Sequence, residues 1–288
     1  MKRLILVAAV VVCGCNDNFD PASLVAGLRL LQVKADPPDV APGEAVTMTA
    51  TFANPGGSVP AITWDACLLP PPPATGQSVN QDCITLEGGD QLVRLGTGGS
   101  IATTMPMIGL ESVGLPDQTN GFYLPVRLRL EADGKRLTAF YSLRIFLGAL
   151  TPNSRNMNPT LMGIYKVPAA DAGADAQVML DDTAPLEVHE KEEVPLRALL
   201  TPDATETYVI FDGDPRTTPP RTVDETVRVS WYTTAGTFSN EATGVARPDT
   251  TLTLDKHLPA PGSTIDIWTI SRDERGGGDA LHRRLIFR

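Results

Sequence analysis

The groups in this chain that could do chemistry are three histidines, four cysteines and thirty-four carboxylates, and their spacing assembles none of the familiar reactive sites. His189-Glu190-Lys191-Glu192-Glu193 opens like a zinc-protease helix but lacks the second His four residues on, so it cannot offer two imidazoles on one helical face. His257 stands two residues before Pro259 in an expected turn, and His282 precedes Arg283 and Arg284 on an expected strand. All three read as solvated surface residues. No Gly-x-Ser-x-Gly elbow, no Gly-rich phosphate loop ending in Lys-Ser or Lys-Thr, and no Cys-His couple occurs. The sequence therefore predicts no catalytic residue, no cofactor and no metal site.

Acidic side chains are numerous enough to require separate treatment. Asp171-x3-Asp175 with Asp181-Asp182, and Asp212-Gly213-Asp214, are the two groups with enough oxygen to attract Ca²⁺, yet neither has EF-hand spacing, and both read as turn residues. A glycan-acting enzyme would need two carboxyls held across a cleft, which two-sheet sandwiches of this size seldom build. Trp64 and Trp231 sit at apolar strand positions and read as core fillers. Trp268, beside Ile267 and near Ile270, is either core or an exposed contact for sugar or protein.

Charge and composition narrow the partners. Setting aside Lys2 and Arg3 in the first fourteen residues leaves 22 basic against 34 acidic side chains, a formal charge of −12. Such a surface has no electrostatic reason to bind nucleic acid or anionic headgroups. Gly and Pro number 25 each, which with frequent Thr and Val points to strands and turns rather than helices.

The first fifteen residues carry the most specific signal. Lys2 and Arg3 precede an apolar run from Leu4 to Val12, too short to remain across a bilayer. It ends Val12-Cys13-Gly14-Cys15, which resembles the lipobox of bacterial lipoproteins, with Cys13 where that family more often has Ala, Ser or Thr. The resemblance implies cleavage before Cys15 and a diacylglyceryl group on its thiol, followed by acylation of the new N-terminus. Each buried methylene contributes about 0.8 kcal/mol, so two or three chains hold durably. Asn16 after the lipidated Cys implies the outer membrane. With Cys13 removed and Cys15 acylated, Cys67 and Cys83 remain as an even pair in an oxidising compartment, expected to form a disulfide around Pro70-Pro71-Pro72-Pro73.

The elements that would position any site follow from period-two alternation. Leu28–Lys34, Ala45–Ala53, Ile62–Ala66 and a hairpin around Asp133-Gly134 read as strands, with Pro125 placing its arm at an edge or bulge. Then the pattern recurs. Val40-x3-Glu44-x-Val46-x-Met48-x-Ala50 reappears as Val188-x3-Glu192-x-Val194-x-Leu196-x-Ala198, Trp231 answers Trp64, and a second hairpin closes the chain around Gly276-Gly277-Gly278. The expected class is all-β, two tandem immunoglobulin-like β-sandwich domains after a lipoprotein signal peptide. The divisions are 1–14 signal peptide, 15–27 tether, 28–148 first sandwich, 149–177 linker with Leu161–Tyr165 favoured as a strand, and 178–288 second sandwich. This resembles the tandem Ig-like or fibronectin-like modules of bacterial envelope lipoproteins. The resemblance implies a non-catalytic protein of the bacterial cell envelope, held by its lipid, that binds or scaffolds another envelope protein or a surface polysaccharide. A glycan-acting enzyme with accessory sandwiches and a passive spacer are the alternatives.

Overall fold

A computed structural model describes residues 20–70, 79–108, 116–148, 153–168, 177–211 and 218–288. Cys15, Asp171, Asp175, Asp212 and Asp214 lie outside these residues.

The first domain contains β1 (Arg29–Asp36), β2 (Asp39–Val40), β3 (Ala45–Ala53), β4 (Ala61–Cys67), the short helix α1 (Asp82–Thr85), β5 (Leu92–Thr97), β6 (Ser100–Thr104), β7 (Phe122–Ala132) and β8 (Lys135–Ile145). They form two sheets, β1-β3-β6 and β2-β8-β7-β4-β5. Val46, Met48 and Ala50 point inward from β3, meeting Ile62, Trp64 and Ala66 of β4 and Leu124, Val126, Leu128 and Leu130 of β7. Alternation puts these residues on one face of each strand, and burying them stabilises the fold by about 25 cal/mol for each Å² of apolar surface removed from water. Trp64 is fully buried, and its indole N–H donates to the Gly98 carbonyl at 2.7 Å.

The second domain repeats the scheme with β9 (Leu161–Lys166), β10 (Val178–Met179), β11 (Leu186–Val188), β12 (Glu193–Leu200), β13 (Thr207–Ile210), β14 (Arg221–Asp224), β15 (Arg228–Thr233), β16 (Thr237–Phe238), β17 (Ala242–Gly244), β18 (Asp249–Thr253), β19 (Thr264–Arg272) and β20 (Gly278–Phe287). Its sheets are β10-β9-β12-β18-β16 and β11-β20-β19-β15-β17, with β13 and β14 forming a separate hairpin. In both domains a short strand runs parallel to the last one, β2 beside β8 and β11 beside β20, while the named neighbours otherwise pair antiparallel. That strand order, with one sheet built on the first, second and fifth main strands and the other on the third and the final hairpin, makes both domains immunoglobulin-like β-sandwiches.

Three sequence expectations change. Pro125 is neither at an edge nor at a bulge: β7 lies between β8 and β4, and Pro125 pairs with Ser142 in unbroken register. The ladder to β4 ends one residue later, at Val126 opposite Ala66, so the missing N–H costs no sheet bond. The 149–177 stretch is not all linker, because Leu161–Lys166 joins the second domain between β10 and β12. The strand favoured at Leu161–Tyr165 is present one residue longer, with Ile164 fully buried, so the second domain begins before residue 178. The end of the 15–27 tether is also docked: Leu24 and Val25 are buried, and Val25 donates its N–H to the Thr233 carbonyl at 2.8 Å. Two adjacent aliphatic side chains found an apolar surface to cover.

Candidate binding surface at the domain junction

Where the two sandwiches meet, the final hairpin turn of the second domain presses against β1 and β8 of the first. The glycines of this turn explain how closely. Gly276 has a positive φ of 96°, a conformation glycine adopts without steric cost. A Cβ on Gly277 would strike the side chains of Asp273 and Asn156, and one on Gly278 would strike Gln32 and the Ser271 carbonyl. Arg272 donates to the Leu31 carbonyl, Tyr141 to the Gly276 carbonyl at 3.2 Å, and Lys34 pairs with Asp279 at 2.8 Å. An apolar patch of Val25, Leu31, Ala53, Trp268 and Ile270 closes the same contact.

Trp268 is therefore not an exposed contact for a ligand. It is 7% exposed and stacks on His282 at 5.0 Å between ring centroids. His282 in turn meets Asp266 at 2.7 Å, and His257 meets Asp20 at 2.7 Å, so both have carboxylate partners, whereas the His189 side chain is exposed.

A buried polar chain threads the junction through Asn156. Its main-chain N–H donates to Asp39 at 3.0 Å and its amide to Asp273 at 2.9 Å. Asp39 also accepts from Arg144 at 2.7 Å, with both side chains fully buried. Burial alone would lower the Arg144 pKa, but the Asp39 charge and hydrogen bond outweigh it and hold the guanidinium firmly protonated. On the other side Arg275, fully buried, reaches Glu206 at 2.5 Å and Glu225 at 3.0 Å and lies over the Tyr208 ring. Burial, reinforced by the Asp273 charge, pushes Glu225 up to about 7 against the pull of Arg275. Burial likewise raises Asp273 despite its three hydrogen bonds. Asp39 Oδ1, Asn156 Oδ1 and Arg144 Nε have no partner among the described residues, so the network is costly as well as specific.

Beside this network opens a cleft of about 430 Å³. Leu30, Tyr123, Phe140 and Tyr141 line it from the first domain, Asp273 and Glu274 from the second. Its carboxylates are engaged. Asp273 accepts from Asn156, Arg275 and Gly277, and Glu274 from the Tyr208 hydroxyl at 2.7 Å and from Thr226. Aromatic walls with held polar rims suit contact with a side chain or a sugar face.

The Cys67–Cys83 disulfide lies apart from this cleft. The two Cα atoms are 6.0 Å apart, within the bridging range. Beneath it Arg127, fully buried, pairs with Asp65 at 2.9 Å and donates to the carbonyls of Cys83 and Leu86, each at 2.7 Å, clamping α1 onto the outer face of the sheet. Of the acidic pairs, Asp181 accepts the N–H of Thr183 within its own turn, and Asp182 accepts that of Arg284 on β20.

Sequence reasoning missed the whole junction network. Asn156 and Arg275 stand in Asn-, Pro- and Gly-rich stretches whose composition signals solvated turns.

No protein-family model matches the chain, and no curated protein does. Among solved structures, the chain is similar to the D0-D1 domain of intimin at 12% identity, over 89% of this chain and 98% of that one, with a TM-score of 0.21. Murine CEACAM1b is similar at 10% identity, over 89% and 100%, with a TM-score of 0.22. At such scores neither likeness has weight, and the fold assignment rests on strand order.

Proposed function

We propose that this chain is a non-catalytic lipoprotein of the bacterial cell envelope, anchored through Cys15 in the outer membrane, whose paired sandwiches bind another envelope protein or a surface polysaccharide. The junction carries the binding reading. The two domains are held together by the Lys34–Asp279 pair, by the bonds of Asn156 to Asp39 and Asp273, and by an apolar patch, with an aromatic-lined cleft formed from both. A spacer needs no such cleft. Asp273 supports the non-catalytic reading, since it spends both oxygens on Asn156 and on the main chain of the turn. It is not placed as a free proton donor or acceptor.

The test is capture from crosslinked envelope with the soluble form lacking residues 1–15, compared with Phe140→Asp, which places a charge on the cleft wall. A partner or polymer retained by the wild type and lost from a folded Phe140→Asp variant is expected. Retention by neither form would leave the spacer reading in its place.

A further inference from the structure

Residues 20–25, the described residues nearest Cys15, lie on the second domain, although they precede the first in sequence. Asp20 pairs with His257 at 2.7 Å, Ser23 Oγ donates to Glu241 at 2.9 Å, and Thr233 exchanges main-chain bonds with Ser23 and Val25. Leu24 and Val25 are buried there, Val25 in the patch with Trp268 and Ile270.

The loops around His257 form one end of the second sandwich. Gly236 bonds Lys256, Lys191 bonds Leu254, and Gly262 bonds Phe287 through the main chain, which gathers the turns at 189–192, 234–236 and 255–263 together. The first domain meets the opposite end, at the 272–277 turn, and reaches back along the sheet as far as Trp268 and Tyr232. The nine residues of β19 alone separate these ends by about 30 Å. Between Cys15 and Asp20 the chain advances five residues, which span at most ~18 Å.

We propose that the His257 end of the second domain is the face turned to the lipid bilayer, and that the first domain projects its Met107 end away from it. The proposal rests on Cys15 acylation, as proposed above, and adds which face the lipid surface meets. Charge does not hold this face to headgroups, because Glu190, Glu192, Glu193 and Asp255 outnumber Lys191 and Lys256 there. The docked segment sets the orientation, and the first domain is carried away from the bilayer. Met107, 81% exposed beside Gly43, provides the label site on the first domain.

The test places a fluorophore at Lys256→Cys or Met107→Cys in the acylated protein, where the disulfide and the lipid leave no other thiol. The protein is reconstituted in phosphatidylethanolamine–phosphatidylglycerol vesicles carrying a headgroup quencher. Quenching several-fold stronger at 256 than at 107 is expected, and Val25→Asp, which expels the segment, should abolish the difference while the protein still floats with vesicles. Equal quenching, stronger quenching at 107, or a difference that survives Val25→Asp would overturn the orientation. Failure to float would instead overturn the acylation reading. The orientation would then be decided by the same labels on a form with a hexahistidine tag in place of residues 1–15, bound to nickel-chelating lipid, with the same expected and contrary results.

Discussion

Glu44 and Glu192 hold the same position in the two sandwiches: each carboxylate accepts the main-chain N–H of the residue three places before it, Ala41 at 2.8 Å and His189 at 2.9 Å. In both turns the next-to-last residue has a positive φ, 79° at Gly43 and 62° at Lys191. The main chain of each Glu then bonds the strand across the sheet, at Met105 and at Leu254. The ten-interval repeat in the sequence is thus one turn built twice, joining the short parallel strand to the second main strand.

Replacing either Glu by Ala removes one acceptor from a tight turn, and each change should cost about 1 kcal/mol. Glu44 also pairs with Arg155 at 2.6 Å, on a partly exposed surface where such pairs contribute little. Chemical denaturation should therefore give losses of similar size for Glu44→Ala and Glu192→Ala. A loss several times larger at Glu44 would show that the ion pair, rather than the turn, matters there.

What the sequence made legible was local. Alternation over Ala45–Ala53 and Phe122–Leu130, the Asp133-Gly134 turn and the repeated Val-x3-Glu pattern each follow from neighbours in the chain, as does the Cys67–Cys83 pairing. The junction did not, because its determinants are distant in sequence. Trp268 looked undecided because the groups that cover it, Val25 and Leu31, come from the other end of the chain. Arg275 gave no signal in its Gly-rich turn, because Glu206, Glu225 and the Tyr208 ring meet its guanidinium only through the fold.

Glu225 makes the second domain sensitive to pH. Its folded value of about 7 lies above the ordinary carboxyl value of 4.5, so between these values the folded state binds more protons than the unfolded one. Its contribution is present below about pH 4.5 and is lost as pH rises through 7, up to about 3 kcal/mol in all. Glu225→Gln, which keeps the shape without the charge, should flatten the fall in melting temperature between pH 5 and 8. An unchanged slope would assign that dependence to other groups.

The disulfide closes a loop of sequence separation 16, for which chain restriction is worth about 3 kcal/mol. Reduction, or Cys67→Ser with Cys83→Ser, should lower the melting transition of the first domain and leave that of the second in place. Arg127 should remain bound to Asp65 in the reduced protein. Loss of both transitions together would mean that the junction makes the two domains unfold as one.

Anchoring through Cys15 is the claim on which location, orientation and partner depend. Cells fed labelled palmitate should incorporate it into the wild-type chain, with the mature protein beginning at Cys15, and Cys15→Ala should carry no label and leave the membrane fraction. Equal labelling of the two forms, or an unlabelled wild-type chain with a free Cys15 thiol, would contradict the account.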